Sequence, residues 1–479
     1  MSGLNFEELI HPQSIAVAGA SGNPNSQGYA FTSHLLEYGY KGNIYPVNPK
    51  YQDIVGIKAF PTIKDIPGPV DYVISCLPSS EVMNLLEDCS QKGVKCVHLF
   101  TARFGETGRQ EGVNLEQEVL KQANKYGIRI IGPNCMGLYY PKMGLSFGYD
   151  FPKEPGPVGF ASQSGGGAAA FINLAALRGI RFSKVISYGN ALDLNESDFL
   201  DYYAEDPETK VILLYMEGIK DGRRFLTALE NAASKKPVII TKGGRGKSGT
   251  RAVASHTASI AGSNNIWETA FSQMGAISVK NLEEMLDLAV SFCFLPPIKG
   301  PRVGISGAGG GPGVISADEC EEAGLEVIPL PSRIREEIKS RNIPIWDWID
   351  NPADVSILGG SGFSDIDMLH LMGKDEDFDL LIADMHELVL ATLAKEDAIR
   401  ARYLKAVEGY AEIKEAYSKP LMLIVREKSP SIEDCAHWSW NLMCEVRTKL
   451  LAAGIPFYPT IGQAAYAANT LIKYYRKRR

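Results

Sequence analysis

Short apolar runs rich in β-branched residues recur along the chain, and each is followed by a stretch with helical spacing of its apolar positions. The first set is "SIAVAGA", "GNIYPVN", "DYVISCL", "VKCVHLF" and "GIRIIGPN". A second follows the break "PKEPGP" and comprises "VGFASQ", "KVISYGN", "VILLYME", "PVIITKGG" and "AISVK". A third follows "FLPPIKGP" and comprises "RVGISGAGG", "LEVIPLP", "DLLIADM", "PLMLIVRE" and "IPFYPTI". Several of these runs are apolar throughout instead of alternating, the pattern of parallel strands covered by helices on both faces. Five such strands suffice for one small doubly wound sheet. The expected fold is therefore α/β, with three doubly wound domains at residues 1–147, 148–297 and 298–479.

Bulk composition narrows the class. With 479 residues and 45% hydrophobic composition, the chain can bury a large interior. Its net charge of −7, from 49 basic and 56 acidic residues, argues against electrostatic binding to nucleic acid or to an anionic membrane. The basic end "YYRKRR" reads as a solvated helix end. The opening "MSGLNFEELIHPQ" lacks a charged start followed by an apolar run, and no apolar stretch reaches the roughly 18 residues of a membrane span. A cytoplasmic protein is expected. Eight cysteines lack CxxC or Cys/His ligand spacing and read as reduced core residues, without disulfides or a structural metal.

In parallel sheets ligands lie beyond the carboxyl ends of the strands, so chemistry is sought just after each run. The first run opens into "AVAGASGNPNSQGYAF", where Gly19, Ser21, Gly22 and Gly28 allow backbone N–H groups to approach a phosphate at a helix start. A glycine-rich first turn also forms in sheets that bind nothing. At the end of the second run, where an NAD site places an acid, "YPVNPKY" offers Asn48 and Lys50. A ligand with an extra phosphate fits that substitution, and NADP or coenzyme A would serve, as would an exposed turn lysine with no ligand. Leu77, Pro78, Asn134 and Cys135 follow later strands around the same crevice, and no hydride-transfer apparatus accompanies them.

The second module repeats the device in "VGFASQSGGGAAAF". Ser162, Gln163, Ser164, Gly165 and Gly166 place hydroxyls and unpaired N–H groups at a helix start, which makes an anion site or a plain helix cap. The stretch misses the first glycine of GxSxG, so a serine nucleophile is not expected. "VILLYMEGIK" ends an apolar strand in Glu217, a carboxylate able to accept the N–H of an imidazole and leave its other nitrogen nucleophilic. His256, in "RAVASHTASIAGSN", is the imidazole on offer. Its flanks are rich in Gly, Ser, Lys and Arg and suit a mobile loop that meets phosphate, although most lone histidines are structural.

Taken together, "SIAVAGAS", "YPVNPK", "GIRIIGPNCMG", "ASQSGG", "ISYGNALDL", "LYMEGI", "SHTASIAG", "GGPGVISADECEEAGL" and "NPADV", in that order, resemble the ADP-forming acyl-CoA synthetases, relatives of succinyl-CoA synthetase. The resemblance is to the α subunit of the acetyl-CoA type and covers nearly the whole chain. It implies a Rossmann-like CoA-binding domain followed by two flavodoxin-like domains. It further implies that His256 is phosphorylated in turnover, that Glu217 steadies it, and that two helix starts face the phosphate. One is at "SQSGG". The other opens at Gly309, Gly310, Gly311 and Gly313, which taken alone also looks like an anion site. Asn351 and Asp354 of "NPADV" lie close to where the family lines its active site. Two positions depart from the family pattern: Arg103 stands for a usual Gly in "TARFGETG", and Ala258 for a usual Gly after "SHT".

The resemblance also implies a nucleotide-binding ATP-grasp unit, which the three modules do not supply, nor is there a GxxxxGK[ST] phosphate loop. The expectation is an α chain that works with a separate ATP-grasp β subunit, as α2β2, using coenzyme A, phosphate, and ADP/ATP with Mg²⁺ in the partner. If Gly262 is the hinge, six extended residues carry His256 at most roughly 21 Å. A CoA-binding regulatory or scaffold protein, or another acyl or carbamoyl transferase on the same framework, is the alternative reading.

Overall fold

The apolar runs form three parallel sheets in a computed structural model that describes residues 6–257, 264–355, 361–385, 396–426 and 436–478, without the side chains of 254–257. The chain divides into two compact units, one running to Met285 and the other beginning at Leu286. Among the described residues no helix is long and apolar enough to cross a membrane.

The first unit contains two sheets. Strands β1 (Ser14–Ala18), β2 (Asn43–Val47), β5 (Tyr72–Ser75), β6 (Cys96–Leu99) and β7 (Arg129–Ile131) pair in the order β2-β1-β5-β6-β7, all parallel, and a small ribbon of β3 (Asp53–Ile54) and β4 (Ile57–Lys58) lies beyond β2. β1, β5 and β6 are buried at every position, as expected of strands covered on both faces. The second sheet contains β8 (Gly137–Tyr139), β9 (Val158–Ser162), β10 (Phe182–Ser187), β11 (Val211–Met216), β12 (Val238–Lys242) and β13 (Ile277–Val279), in the order β13-β12-β11-β9-β10-β8. Its parallel strands repeat the winding of the first sheet, with the first strand of the set inside and the second beside it near the edge. β8 adds an antiparallel edge to β10. Residues 137–139 therefore pair with the second sheet, although they precede the break "PKEPGP". Gly137, at φ +79°, lets the chain pass the buried His98 ring, which a Cβ there would approach to 2.5 Å.

The second unit has a four-stranded parallel sheet in the order β14 (Val303–Ser306), β15 (Leu380–Asp384), β16 (Leu421–Ile424), β17 (Phe457–Tyr458). "LEVIPLP" was expected as a strand and makes only an isolated bridge between Glu326 and Arg302. Its prolines remove ladder donors, and Asn351 takes the place beside β14. The Asn351 Oδ1 accepts from Ile305 N at 2.9 Å, and its Nδ2 donates to the carbonyls of Val303 and Ile328, both at 2.8 Å. With Ala353 N donating to the Ile305 carbonyl at 2.8 Å, this side chain does the pairing of a missing edge strand, and the winding of the other two sheets is kept with one position unfilled.

At the amino end of β10, Lys184 is buried and its Nζ donates to Asp206 Oδ2 at 2.9 Å and to Glu208 Oε2 at 2.7 Å. Tyr140 donates to Glu208 Oε2 at 2.8 Å and lies 2.9 Å from His11 Nε2, and Lys142 pairs with Glu208 as well. This network ties the second sheet to the segment that leaves the first. Burial works against the Glu208 anion, but bonds from Lys142, Lys184 and Tyr140 outweigh it and hold the carboxyl at about 2, below its ordinary 4.5.

Two outcomes follow. Asn351→Leu strands one N–H and two carbonyls on β14 and the adjoining segment, and is expected to cost on the order of 3 kcal/mol in chemical denaturation of the second unit. Because the Glu208 carboxyl is depressed on folding, its contribution is complete above its unfolded value and is lost as pH falls from about 4.5 toward 2. The stability gap between wild type and Glu208→Gln, measured by urea titration, is expected to be wide at neutral pH and to narrow through that window.

Candidate active site

The strand order of the first sheet reverses at β1, which opens a crevice beyond the carboxyl ends of its strands. The crevice encloses about 540 Å³, and Gly19, Asn48, Lys50, Leu77, Glu81 and Asn84 are among its lining residues. Gly19 turns the chain with φ +82°, where a Cβ would lie 3.1 Å from the Cys76 carbonyl. Helix Gln27–Glu37 follows, capped by Ser26, whose Oγ accepts from Tyr29 N at 3.2 Å. Its first turn presses on the loop so closely that a Cβ on Gly28 would sit 2.1 Å from the Gly19 oxygen. Asn48 donates to the Ala20 carbonyl at 2.7 Å and accepts from Lys50 N at 2.9 Å, and so sets the turn that brings Lys50 to the wall.

The other candidates in this module lie on the loops that follow β1, β5 and β7. Ser21 Oγ accepts from Asn23 N at 3.1 Å within its own loop. Gly22 lies under the Tyr51 ring, which a Cβ would meet at 3.0 Å. Pro78 caps the short turn Ser79–Glu81. Asn134 takes a left-handed φ of +58° and donates its N–H to Thr101 O at 3.0 Å. Cys135 is buried with its thiol toward the Leu99 carbonyl, and burial pushes that thiol well up from its ordinary value. It was expected around the crevice; packing turns it inward.

The parallel register of the second sheet brings three strand exits side by side, with Tyr215 opposite Ser162 and Met216 opposite Lys242. From β9, Ser162 Oγ donates to the Ser164 carbonyl at 2.8 Å, and Ser164 Oγ caps helix Gly165–Leu177 by accepting from Gly167 N at 3.1 Å. The space beside Gly166 is open, whereas a Cβ on Gly165 would reach Met136 at 2.7 Å. Gln163, expected at the phosphate, turns its Oε1 to the backbone beyond β11 and accepts from Glu217 N at 2.6 Å and Gly218 N at 3.3 Å. Glu217 is buried; Tyr215 donates to its Oε1 at 3.3 Å, and Lys242 Nζ donates to its carbonyl at 2.6 Å. Burial lowers the Lys242 ammonium, against the pull of the Glu217 carboxylate. In this set Ser162 Oγ and Gln163 Oε1 are bonded within the chain, and the helix start at Gly165 and Gly166 has open space beside Gly166 for an anion.

Beyond β12 the chain turns at Gly243 and Gly244 and enters helix Lys247–Thr257, which packs beside the turn Gly105–Thr107. His256 is the penultimate residue of that helix, and its side chain is outside the described residues, as are Ala258 and Gly262 altogether. The stretch before His256, read from composition as a mobile loop, is helical: Ala252 and Ala254 favour a helix, and Val253 packs over Gly244.

Glu106, Asn190 and Glu196, beside this edge, escaped the sequence reading, whereas Arg103 did not. Arg103 adopts φ +77°, a conformation that suits the glycine usual there, and the Glu106 carboxylate takes its N–H and that of Phe104. Asn190, from "SYGNALDL", donates through Nδ2 to Glu106 at 2.7 Å and Glu116 at 2.9 Å. Glu196 is buried at the start of the next helix, and burial pushes its carboxyl up to about 7, with Lys220 opposing. Spacing along the chain carries no sign of these pairings. Lys242, at the end of an apolar strand, was the one legible omission.

In the second unit β14 runs through Gly307 and Gly309, at φ +89° and +77°, into helix Gly310–Glu322. A Cβ on Gly310 would lie 2.9 Å from Asp354 Oδ2, so a carboxylate of the chain already sits at this helix start, where the helix field favours it. Gly311 faces open space, and a Cβ on Gly313 would be 3.7 Å from Pro352. Asp384, at the end of β15, is buried and accepts from Arg426 Nη2 at 2.9 Å. Asn351 serves the sheet edge and not a ligand. Among the described residues no group of three His, Cys, Asp or Glu side chains is placed to hold a metal ion.

Comparison with known proteins supports the family resemblance and the α/β fold. Residues 13–141 match the CoA binding domain family, and residues 155–292 match the succinyl-CoA ligase-like flavodoxin domain family. That pairing defines a CoA ligase built on α/β modules. The α subunit of ADP-forming acetate–CoA ligase II of Pyrococcus furiosus is 42% identical, over 79% of this chain and 82% of that protein, and the isoenzyme I α subunit is 39% identical over 74% and 77%. The structure of the acetyl-coenzyme A synthetase 1 of Candidatus Korarchaeum cryptofilum, in complex with phosphate and ADP, has a TM-score of 0.82 with 32% identity and covers 99% of this chain and 97% of that one. The chain belongs to the family of ADP-forming acyl-CoA synthetase α subunits.

The tight approach of Gly28 to Gly19 makes a prediction. Gly28→Ala forces the helix off the loop that forms the crevice floor, and CoA affinity measured by isothermal titration is expected to drop by at least about ten-fold, about 1.4 kcal/mol.

Proposed function

We propose that this α subunit catalyses the CoA half of the reaction acyl-CoA + phosphate + ADP = carboxylate + CoA + ATP, with His256 as phosphoryl carrier. The observation that supports this best is the shared edge of β9, β11 and β12, which gathers a capped helix start, a buried carboxylate and the turn into the His256 helix. The crevice of the first sheet receives coenzyme A, with Lys50 toward its phosphates. A phosphate oxygen attacks the thioester carbonyl, the C–S bond breaks, and CoA leaves as thiolate and is protonated. An imidazole nitrogen of His256 then attacks phosphorus, the P–O bond to the acyl group breaks, and the carboxylate departs. Glu217 takes the N–H of the imidazole and stabilises the cation that forms.

Phosphate sits at the helix start of Gly165 and Gly166, where N–H groups and the helix field favour an anion. A second anion site is proposed at the helix start of Gly309 to Gly311 in the second unit. His256 passes the phosphoryl group to ADP with Mg²⁺ on an ATP-grasp β subunit in an α2β2 assembly, and the cytoplasm is its site of action. Acetyl-CoA is the first acyl probe, because the similar Pyrococcus furiosus proteins are named acetate–CoA ligases.

The test is His256→Ala in the assembled enzyme. ATP formation from acetyl-CoA, ADP and phosphate is expected to fall at least about 10³-fold while CoA binding persists. Wild-type protein incubated with acetyl-CoA and ³²P-phosphate is expected to take up acid-labile, base-stable label. CoA binding with no label and no loss of rate in the variant would make the protein a CoA-binding scaffold instead.

A further inference from the structure

The geometry points to Lys242 as a positioning residue for phosphoryl transfer, a buried ammonium that fastens the Glu217 peptide to the turn from which the His256 helix departs. Lys242 closes β12 and is only 5% exposed. Burying an ammonium is costly unless its N–H groups are used. Here Nζ donates to the Glu217 carbonyl at 2.6 Å and to the Gly243 carbonyl at 2.6 Å, and it lies 5.5 Å from the centre of the Trp267 ring, within cation–π range.

Both of those acceptors are backbone carbonyls. One belongs to the exit of β11 and the other to the exit of β12, so a single cation bolts two adjacent strand ends together. On the amino side of the same residue, Gln163 Oε1 accepts from Glu217 N at 2.6 Å. The Glu217 backbone is therefore gripped from its N–H and from its C=O by two buried side chains, and the carboxylate moves only about its own side-chain torsions. A Cβ on Gly243 would meet Tyr215 Oη at 3.0 Å and Glu217 Cγ at 3.3 Å, which shows how closely the turn lies on the acid. A catalytic acid displaced by an ångström loses much of its effect on the imidazole it orients. Lys242 thus acts through Glu217 and the turn, and touches neither substrate nor phosphorus.

This inference rests on the roles proposed for Glu217 and His256. Its test uses the assembled enzyme with acetyl-CoA, inorganic phosphate and ADP. Lys242→Met keeps the length and apolar stem of the side chain but removes every donor. It is expected to lower kcat about 100-fold with KM for acetyl-CoA within about two-fold of wild type, and to slow ³²P labelling of the protein in parallel. Lys242→Arg restores a cation with donors and is expected to recover at least about ten-fold of that loss. Gln163→Leu cuts the other grip without touching a charge, and kcat is expected to fall again with KM for acetyl-CoA unmoved.

The inference is overturned if Lys242→Met keeps kcat within about three-fold of wild type, if its loss of kcat is matched by an equal loss of CoA affinity, or if Arg does no better than Met. Unchanged kcat in Gln163→Leu overturns the two-sided grip. A fully active His256→Ala enzyme would instead remove the phosphohistidine reading on which this one stands, so the two failures are told apart.

Discussion

The parallel register of β11 between β9 and β12 is the constraint on which the chemistry depends. Parallel strands place residues of equal register at one level of the sheet, and everything beyond that level faces the same space. Ser162, Met216 and Lys242 end their strands there, so the helix cap at Ser164, the acid Glu217 and the turn at Gly243 emerge as neighbours although they are far apart in sequence. A shift of one residue in β11 would send Glu217 to the opposite face, leaving the Gln163 Oε1 without its N–H donors and Lys242 without the Glu217 carbonyl.

The same device appears in each sheet, and it is built from small residues. After β1, Gly19 and Gly28 let a helix approach a loop to a distance that no Cβ allows. After β9, the cap at Ser164 and the open side of Gly166 leave a helix start facing solvent. After β14, Gly310 makes room for Asp354. Three first strands followed by three helix starts are three chances to meet an anion, and side chains decide how each is used. Asn48 and Lys50 furnish the first, Glu217 accompanies the second, and a carboxylate already occupies the third. For a family of CoA ligases that move phosphate, this is a division of one physical motif among different partners.

The second unit shows how far such a sheet can be altered and still stand. Its "LEVIPLP" run has strand composition but carries two prolines, and the ladder it leaves open is completed by the Asn351 side chain together with the Ala353 N–H. Asn351 belongs to "NPADV", a stretch that attracts attention as part of the resemblance to acyl-CoA synthetases. Its first residue works for the sheet, while its Asp354 lies at the helix start. Neighbours in one short motif thus serve different ends, which spacing alone does not reveal.

Residue order alone made legible the α/β class, fourteen of the fifteen named strand runs, the glycine turns and the identity of Glu217 as a strand-end acid, because these depend on local apolar patterning and on backbone freedom. It did not disclose that the Gln163 Oε1 accepts from the Glu217 N–H, that the residues before His256 are helical, or that Asn190 joins Glu106 and Glu116. Each of those outcomes is a choice among hydrogen-bond partners separated by tens of residues. Only tertiary packing makes that choice, since a buried polar atom must bond to whatever the fold brings within about 3 Å of it.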